Sequence, residues 1–459
     1  MLTHIAHGDS RFSFWLRVRE FAVPPSMIET ATARRTAGDW AGACAAAGID
    51  VDFNLRSVAR THGQGFAARV RADLRHLAPD LLRWHMPRIA PDGLLRPGLT
   101  VSLARYDAAG RDGASPVHLV ARTVPAWADA GQRISLALWD GSGPGAVRSL
   151  HPHLRPSPRF RLDLHRHLWD ARRAGELRVR SGADRVSGDG PALPEGQLLP
   201  QGDRCAVGRW ADEAGILLRA EGRAGGAVTV RIGARHRLVL DLEPDGDAPT
   251  GVRTWAGPAD EGAPVLPDAA TWVPPDLELL RTGAIEADRL HPLVASALVP
   301  DHAQAGPPRA PDRAGQPRVV ECRGARHRIG LVDGVLAPLD HHPDEIRREE
   351  LLVALTGTPL PCLQAIDEAH RRPDCLTGVR ERLDHGDTAG ALAVVEGLLG
   401  PGALLRAGDL RDELEAAAQQ RITYGLFRAG LSGPAPGRIR PGPSRPRHHR
   451  SHPRTTTAR

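Results

Sequence analysis

The spacing of the apolar residues changes along this chain, and that change limits the fold more than any other feature. Phe66, Val70 and Leu74 fall four apart, and Leu77 and Leu81 continue the stripe, as on one face of a helix. From Leu99 the pattern becomes alternation: Leu99/Val101/Leu103, Ile134/Leu136/Leu138, Phe160/Leu162/Leu164, Leu177/Val179 and Val228/Val230/Ile232. Alternation with Gly, Pro and Asp clusters between the runs predicts half-buried antiparallel strands. A strand pair at Arg318–Leu336 follows, and then helical spacing returns over about Pro343–Leu355, Pro361–His370, Leu376–Leu383, Ala389–Leu399 and Leu410–Phe427. Side chains repeat every 3.6 residues on a helix and every second residue on a strand, so neither pattern serves as the other. The expected fold class is α+β, with a helical N-terminal unit, an antiparallel β-rich centre, a helical C-terminal unit and a disordered basic tail.

Punctuation sets the boundaries. Residues 1–24 form an extension ahead of Pro24-Pro25, and Ser26 with Glu29 three residues on fits a helix-capping box. A helical unit then spans 25–93 and a β-rich domain 94–243. Thirteen prolines fall from Pro244 to Pro317, so 244–317 reads as a proline-rich linker around one helix at about Ala284–Leu298. A β-hairpin at 318–342, a helical unit at 343–430 and an arginine-rich tail at 431–459 complete the order.

All 60 basic residues are arginine. Without lysine the chain forms no Schiff base on a side-chain amine, and it lacks the phosphate-binding lysine of a P-loop and the β3 lysine of a protein kinase. Seven arginines lie in 438–459, leaving 53 against 54 acids elsewhere. The net charge of +6 therefore belongs to the tail, which weakens any claim that the body is a general nucleic-acid binder. Cys44, Cys205, Cys322, Cys362 and Cys375 are odd in number and widely spaced, which predicts reduced thiols with no disulfide framework. No run reaches the roughly 18 apolar residues of a membrane span. Phe12-Ser-Phe-Trp-Leu16 is too short for a signal-peptide core. No membrane association and a cytoplasmic location are the expectations.

Two segments recur. Gly38-Asp-Trp-Ala-Gly-Ala43 and Gly386-Asp-Thr-Ala-Gly-Ala391 each sit between helical segments, and each resembles the turn and second helix of a tetratricopeptide-type hairpin. Gly233-Ala-Arg-His-Arg-Leu-Val-Leu240 returns as Gly324-Ala-Arg-His-Arg-Ile-Gly-Leu331, which predicts two β-hairpins with Gly-Ala at the turn. On such a strand the arginines point away from the histidine. Arg235, Arg237, Arg326 and Arg328 are accordingly candidate ligands for a phosphate or carboxylate, against the plainer reading of solvated arginines beside a core-facing histidine. As a whole, the chain resembles a protein family of GC-rich bacteria that supplies no catalytic residue to carry over.

Metal chemistry is weighed because there are 21 histidines. On a strand His165-Arg-His167 would place both rings on one face, making His165 and His167 the candidate pair. Asp340-His-His-Pro-Asp-Glu345 and Asp384-His-Gly-Asp387 mix acids with histidines at helix boundaries, where Asp is favoured as a cap. No H-E-x-x-H occurs, no His/Cys set shows zinc spacing, and no metal or cofactor is expected. Gly141-Ser-Gly-Pro-Gly-Ala146 matches a dinucleotide-binding pattern in letters, but prolines follow where a helix is required. The functional expectation is a non-enzymatic binding or adaptor protein with a protein partner. The alternative is a metal-dependent hydrolase or transferase built on His and Asp. The tail, with no acid and no Tyr or Trp, is expected to make weak, salt-sensitive contact with nucleic acid.

Overall fold

The computed structural model describes residues 12–107, 115–129, 131–141, 151–184, 205–233, 236–243, 249–255, 262–301, 318–322, 324–357 and 359–433. The 142–146 glycine motif and the tail beyond Gly433 lie outside them, as does Arg235. The described residues fall into two compact units, one within 1–126 and 133–305 and one within 127–132 and 306–438. The α+β expectation holds.

The first unit opens with a helical segment over 12–17 that runs into a π-helical turn at Val18–Ala22. Helices α1 (Pro25–Thr36), α2 (Trp40–Ala46), α3 (Leu55–His62), α4 (Gln64–His76) and α5 (Pro79–His85) follow, with the short strand β1 (Ile49–Val51) after α2. The first helix starts at Pro25, with Pro24 rather than Ser26 at the cap position. Next come β2 (Arg88–Ile89), β3 (Leu94–Leu95), β4 (Thr100–Tyr106), β5 (Val117–Thr123) and β6 (Ile134–Trp139). Strands β4, β5 and β6 pair antiparallel as their alternation predicts, and β1 joins the edge parallel to β6, Ile49 opposite Ile134.

That edge strand has a consequence for the boundaries. Val18, Val70, Leu74, Trp84, Leu103, Leu119 and Ile134 belong to one buried core, so residues 12–24 and 25–93 are not separate from the sheet they precede. The two runs expected as strands at 160–164 and 177–179 are also different. Residues 160–168 close in turns, Leu164 N–H donating to Arg161 O at 3.1 Å and His165 N–H to Leu162 O at 3.1 Å. The run meets β4 at single points only, Asp163 N–H donating to Ser102 O at 2.9 Å beside a lone Ser102–Arg161 bridge, and makes no ladder. Leu177–Arg180 is a single helical turn, α6, with Leu177 buried and Val179 half exposed.

Helix α7 (Trp210–Ala220) packs on a three-stranded antiparallel sheet, β7 (Gly226–Arg231), β8 (Arg237–Leu242) and β9 (Pro249–Trp255). Trp210, Leu217, Val228, Val230, Leu240 and Leu266 form its core. Leu266 lies in the stretch expected as a linker. That stretch carries α8 (Asp268–Thr271), α9 (Pro275–Arg281) and α10 (Pro292–Leu298), and it buries Leu277, Leu279, Ile285, Leu290 and Val294. Among its described prolines, Pro275 and Pro292 open helices, where a missing N–H costs nothing.

A buried polar network ties this stretch to the chain's start. Asp276 accepts from Arg19 Nη2 at 3.1 Å and from Trp84 Nε1 at 2.7 Å, with all three residues buried. The Arg19 guanidinium also lies 4.1 Å from the centre of the Trp84 ring, a cation–π arrangement. Close by in sequence, Asp80 and His291 pair at 2.8 Å.

The second unit holds the sheet β10 (Arg318–Cys322), β11 (Ala325–Val332) and β12 (Val335–Pro338) and helices α11 (Pro343–Thr356), α12 (Pro361–Arg371), α13 (Leu376–His385), α14 (Thr388–Leu399) and α15 (Asp409–Arg428). Its helical core contains Ala369, Val379, Leu383, Ala391, Val395, Leu399 and Leu410.

Both recurring segments are what their letters predict. Gly38 and Gly386 close helices at φ 81° and 87°. Asp39 and Asp387 then cap the next helix from Gly42 N and Gly390 N at 2.8 and 2.9 Å, and each accepts from an upstream arginine, Arg34 or Arg382, at 2.9 Å. A Cβ on Gly42 or Gly390 would fall 2.0 or 2.1 Å from the capping carboxylate, so the second glycine of each motif makes room for the cap. Both Gly-Ala-Arg-His-Arg copies lie in β-hairpins, β7–β8 and β10–β11; in the second, Ala325 pairs with Cys322, so the turn falls before the expected Gly-Ala, while residues 234–235 of the first lie outside the described residues.

Replacing Asp276 with Asn keeps the shape and removes the charge that offsets Arg19. Breaking a buried pair from one side costs about 3–5 kcal/mol. Urea unfolding of the Asp276→Asn variant is expected to show a loss of that size in the first unit, against a change below about 1 kcal/mol for a surface pair such as Arg173–Glu176.

Candidate metal centre

Four ligand atoms converge in the second unit: Cys322 Sγ, His327 Nδ1, His341 Nε2 and Cys362 Sγ all lie within 4.8 Å of one another. The two rings approach with Nδ1 of His327 2.6 Å from Nε2 of His341, and Cys362 Sγ is 3.5 Å from that same Nε2. Cys322 and Cys362 are fully buried, the His341 side chain is 2% exposed, and His327 is half-buried.

Each residue arrives on a different piece of backbone. Cys322 ends β10 and His327 stands near the start of β11, across a tight turn at Gly324 (φ 78°). Cys362 lies in the first turn of α12, beside Leu360 in a small buried cluster with Cys322. His341 sits between β12 and α11, and an ion pair fixes it there. Asp340 accepts from Arg328 N at 2.6 Å and from its Nη2 at 2.7 Å. Leu339 N–H donates to Arg328 O at 2.8 Å. These bonds pin residues 339–341 against β11, one residue from His327. Arg328 holds the Asp340 carboxyl down to about 2, so the pair stays charged through the neutral range. The next residue, His342, caps α11 by accepting from Asp344 N at 3.3 Å.

This donor set fits a metal of the zinc class. Zinc takes thiolate sulfur at about 2.3 Å and imidazole nitrogen at about 2.0–2.1 Å in a tetrahedron. Such a tetrahedron sets its ligand atoms about 3.3–3.8 Å apart, so the two nitrogens would open slightly around an ion. Two thiols and two imidazoles fill all four positions, and S₂N₂ tetrahedra select zinc among common ions. His341 Nδ1 is 3.2 Å from Glu345 Oε2, the outer contact that orients a ligating histidine and leaves its other nitrogen free to bind. Without a cation the buried Cys362 thiol stays protonated. Burial, and then Cys322, push the Cys362 thiol up to about 12, whereas a bound divalent ion deprotonates such a thiol outright.

The structure redistributes the residues singled out from sequence. His165 and His167 do not make a metal site. Arg166–Leu168 is a 3₁₀ turn, not a strand. His165 has Nδ1 at 2.9 Å from Arg161 O and Nε2 at 3.1 Å from Glu213 Oε2, so both nitrogens are engaged. His167 is buried, and burial holds its imidazole well below the usual range. Arg328 is committed to Asp340, while Arg326 is exposed on β11. Arg237 belongs to the first unit. The reading that no His/Cys set has metal spacing overlooked Cys322, His327, His341 and Cys362. Their separations of five, fourteen and twenty-one residues match no short motif. The available signals were the second Arg-His-Arg copy, which begins four residues after Cys322, and the Asp340-His341-His342 cluster.

No protein-family model, curated protein or solved structure matches the chain. Among the described residues no helix is long and apolar enough to cross a membrane.

Removal of an outer-shell partner lowers metal affinity by about 10–100-fold. The Glu345→Gln variant is expected to bind zinc at least tenfold more weakly in competition with a chromophoric chelator, with the helical content of the chain unchanged.

Proposed function

We propose that the second unit is a binding module organised by a structural metal ion, and that the chain acts as a non-enzymatic adaptor. The observation that carries this reading is the closed donor set. Catalytic zinc sites keep a position for water or substrate, whereas sites with four Cys and His ligands are structural. Cys322, His327, His341 and Cys362 would leave no such position, which weighs against a metal-dependent hydrolase at this centre. The surroundings support binding to another protein. Leu351, Leu352 and Leu355 on α11 are 64%, 46% and 84% exposed, and clustered apolar side chains left in solvent mark interaction surfaces more often than chance exposure.

The test is metal content followed by cobalt substitution. Purified protein is expected to hold one zinc per chain, lost in the Cys322→Ser and Cys362→Ser variants. Cobalt(II) in its place should show thiolate charge-transfer bands and strong visible bands of a tetrahedral S₂N₂ field. Those bands should not move on adding azide, because no exchangeable ligand position remains. Azide-dependent bands would mean an open coordination position and would favour the hydrolase instead.

A further inference from the structure

A cleft of about 600 Å³ opens in the first unit, walled by Trp15, Met86, Phe160, Trp272 and Val273. Its volume is in the range of small-molecule sites, about 300–1,000 Å³. A smaller hollow of about 330 Å³ shares Arg96, Arg159 and Phe160 with it and adds Arg231 to the lining.

The arginines at this end are unevenly matched by acids. Arg161, which also lines the cleft, pairs with Asp163 and Glu221 at 2.9 and 2.6 Å. Here Arg159 pairs with Asp268 at 2.6 Å. Arg231 stands directly across from Arg237 in the β7–β8 pairing, and its Nε is buried without a hydrogen-bond partner. Burial first, and then Arg159, Arg237 and Arg96, disfavour its charge, with Asp268 the acid that favours it. Like charges gathered beside an apolar hollow raise the energy of the empty fold, and an anion between them lowers it.

We propose that this cleft binds a small organic phosphate, with its phosphoryl groups on Arg96, Arg159 and Arg231 and its planar or apolar body against Phe160 and Trp272. Arg237, one of the residues singled out by the repeated Arg-His-Arg segment, adds charge behind Arg231. Guanidinium forks match phosphate oxygens two at a time, and a multiply charged phosphate offsets several arginines where a single carboxylate offsets fewer. The aromatic walls suit a nucleotide base or a similar ring. This inference does not depend on the metal centre, since all its residues lie in the first unit.

Fluorescence anisotropy of an N-methylanthraniloyl-labelled ADP tests it, with inorganic pyrophosphate as competitor and the full chain as receptor. The parent chain is expected to bind in the micromolar range, pyrophosphate to displace the label, and Arg96→Gln and Arg231→Gln to weaken binding at least tenfold. Arg96 is exposed, so Arg96→Gln should melt like the parent and separates loss of the site from loss of the fold. Arg231→Gln should melt at or above the parent's temperature, because it removes a repelled charge. Unchanged affinity in both variants, or no binding at millimolar label, overturns the proposal. Displacement by a single-stranded oligonucleotide at far lower concentration than by pyrophosphate also overturns it, since that marks a nucleic-acid surface.

Discussion

Two thiols and two imidazoles packed within 4.8 Å of one another, three of the four residues buried, set the terms for the second unit. Its three-stranded sheet covers little apolar surface by itself: Cys322 and Ile329 are buried, whereas Val319, Leu331, Val332 and Val335 are each at least 40% exposed. A three-stranded sheet needs a packed face to be stable. Here the buried face narrows to the point where Cys322 meets Leu360 and Cys362. A cation at that point joins the end of β10, the start of β11, the entry to α11 and the start of α12. Metal-binding free energy then becomes folding free energy, and the Arg328–Asp340 pair fixes the one ligand that comes from a loop.

The first unit solves a similar problem with charge instead of metal. Its length brings residue 19 beside residue 276 and residue 80 beside residue 291, and those closures are made by buried hydrogen-bonded charges. Such pairs add little net stability over apolar packing, but they penalise any arrangement that leaves one partner alone. Asp276 accepting from both Arg19 and Trp84 therefore fixes where the proline-rich stretch docks. The cleft follows from this placement, because α8 and the start of α9 supply Asp268, Trp272, Val273 and Pro275 to its wall.

Much of the fold was legible in the sequence, and the misses share a cause. Long periodic segments such as Phe66–Leu74 and Leu410–Phe427 became helices, and the alternation at Ile134–Leu138 became a strand, because local pattern and tertiary burial agree there. The Gly-Asp-x-Ala-Gly-Ala echo was legible down to its hydrogen bonds, since positive φ at the first glycine and the cap on the second are local requirements. Failures came where the partner is remote. Phe160/Leu162/Leu164 alternates, yet it closes in turns and meets β4 only at an isolated bridge. Among the described prolines of 244–317, Pro275 and Pro292 open helices inside a packed stretch. At the candidate metal centre, four ligands come from β10, β11, α12 and the loop before α11, joined by tertiary packing, and sequence separation carries no trace of that meeting. The arginine cleft was half visible: Arg237 was legible from the repeat, but Arg96, Arg159 and Arg231 come together only through the fold.

Hydrogen–deuterium exchange of the full chain with and without a zinc chelator tests the central claim most directly. The account predicts that removing the ion exposes amides across β10, β11 and the start of α12, while the core strands β4 to β6 of the first unit keep their protection. Equal protection of β10, β11 and α12 before and after chelation, in a protein shown to have lost its metal, would contradict a structural role for the Cys322–His327–His341–Cys362 centre.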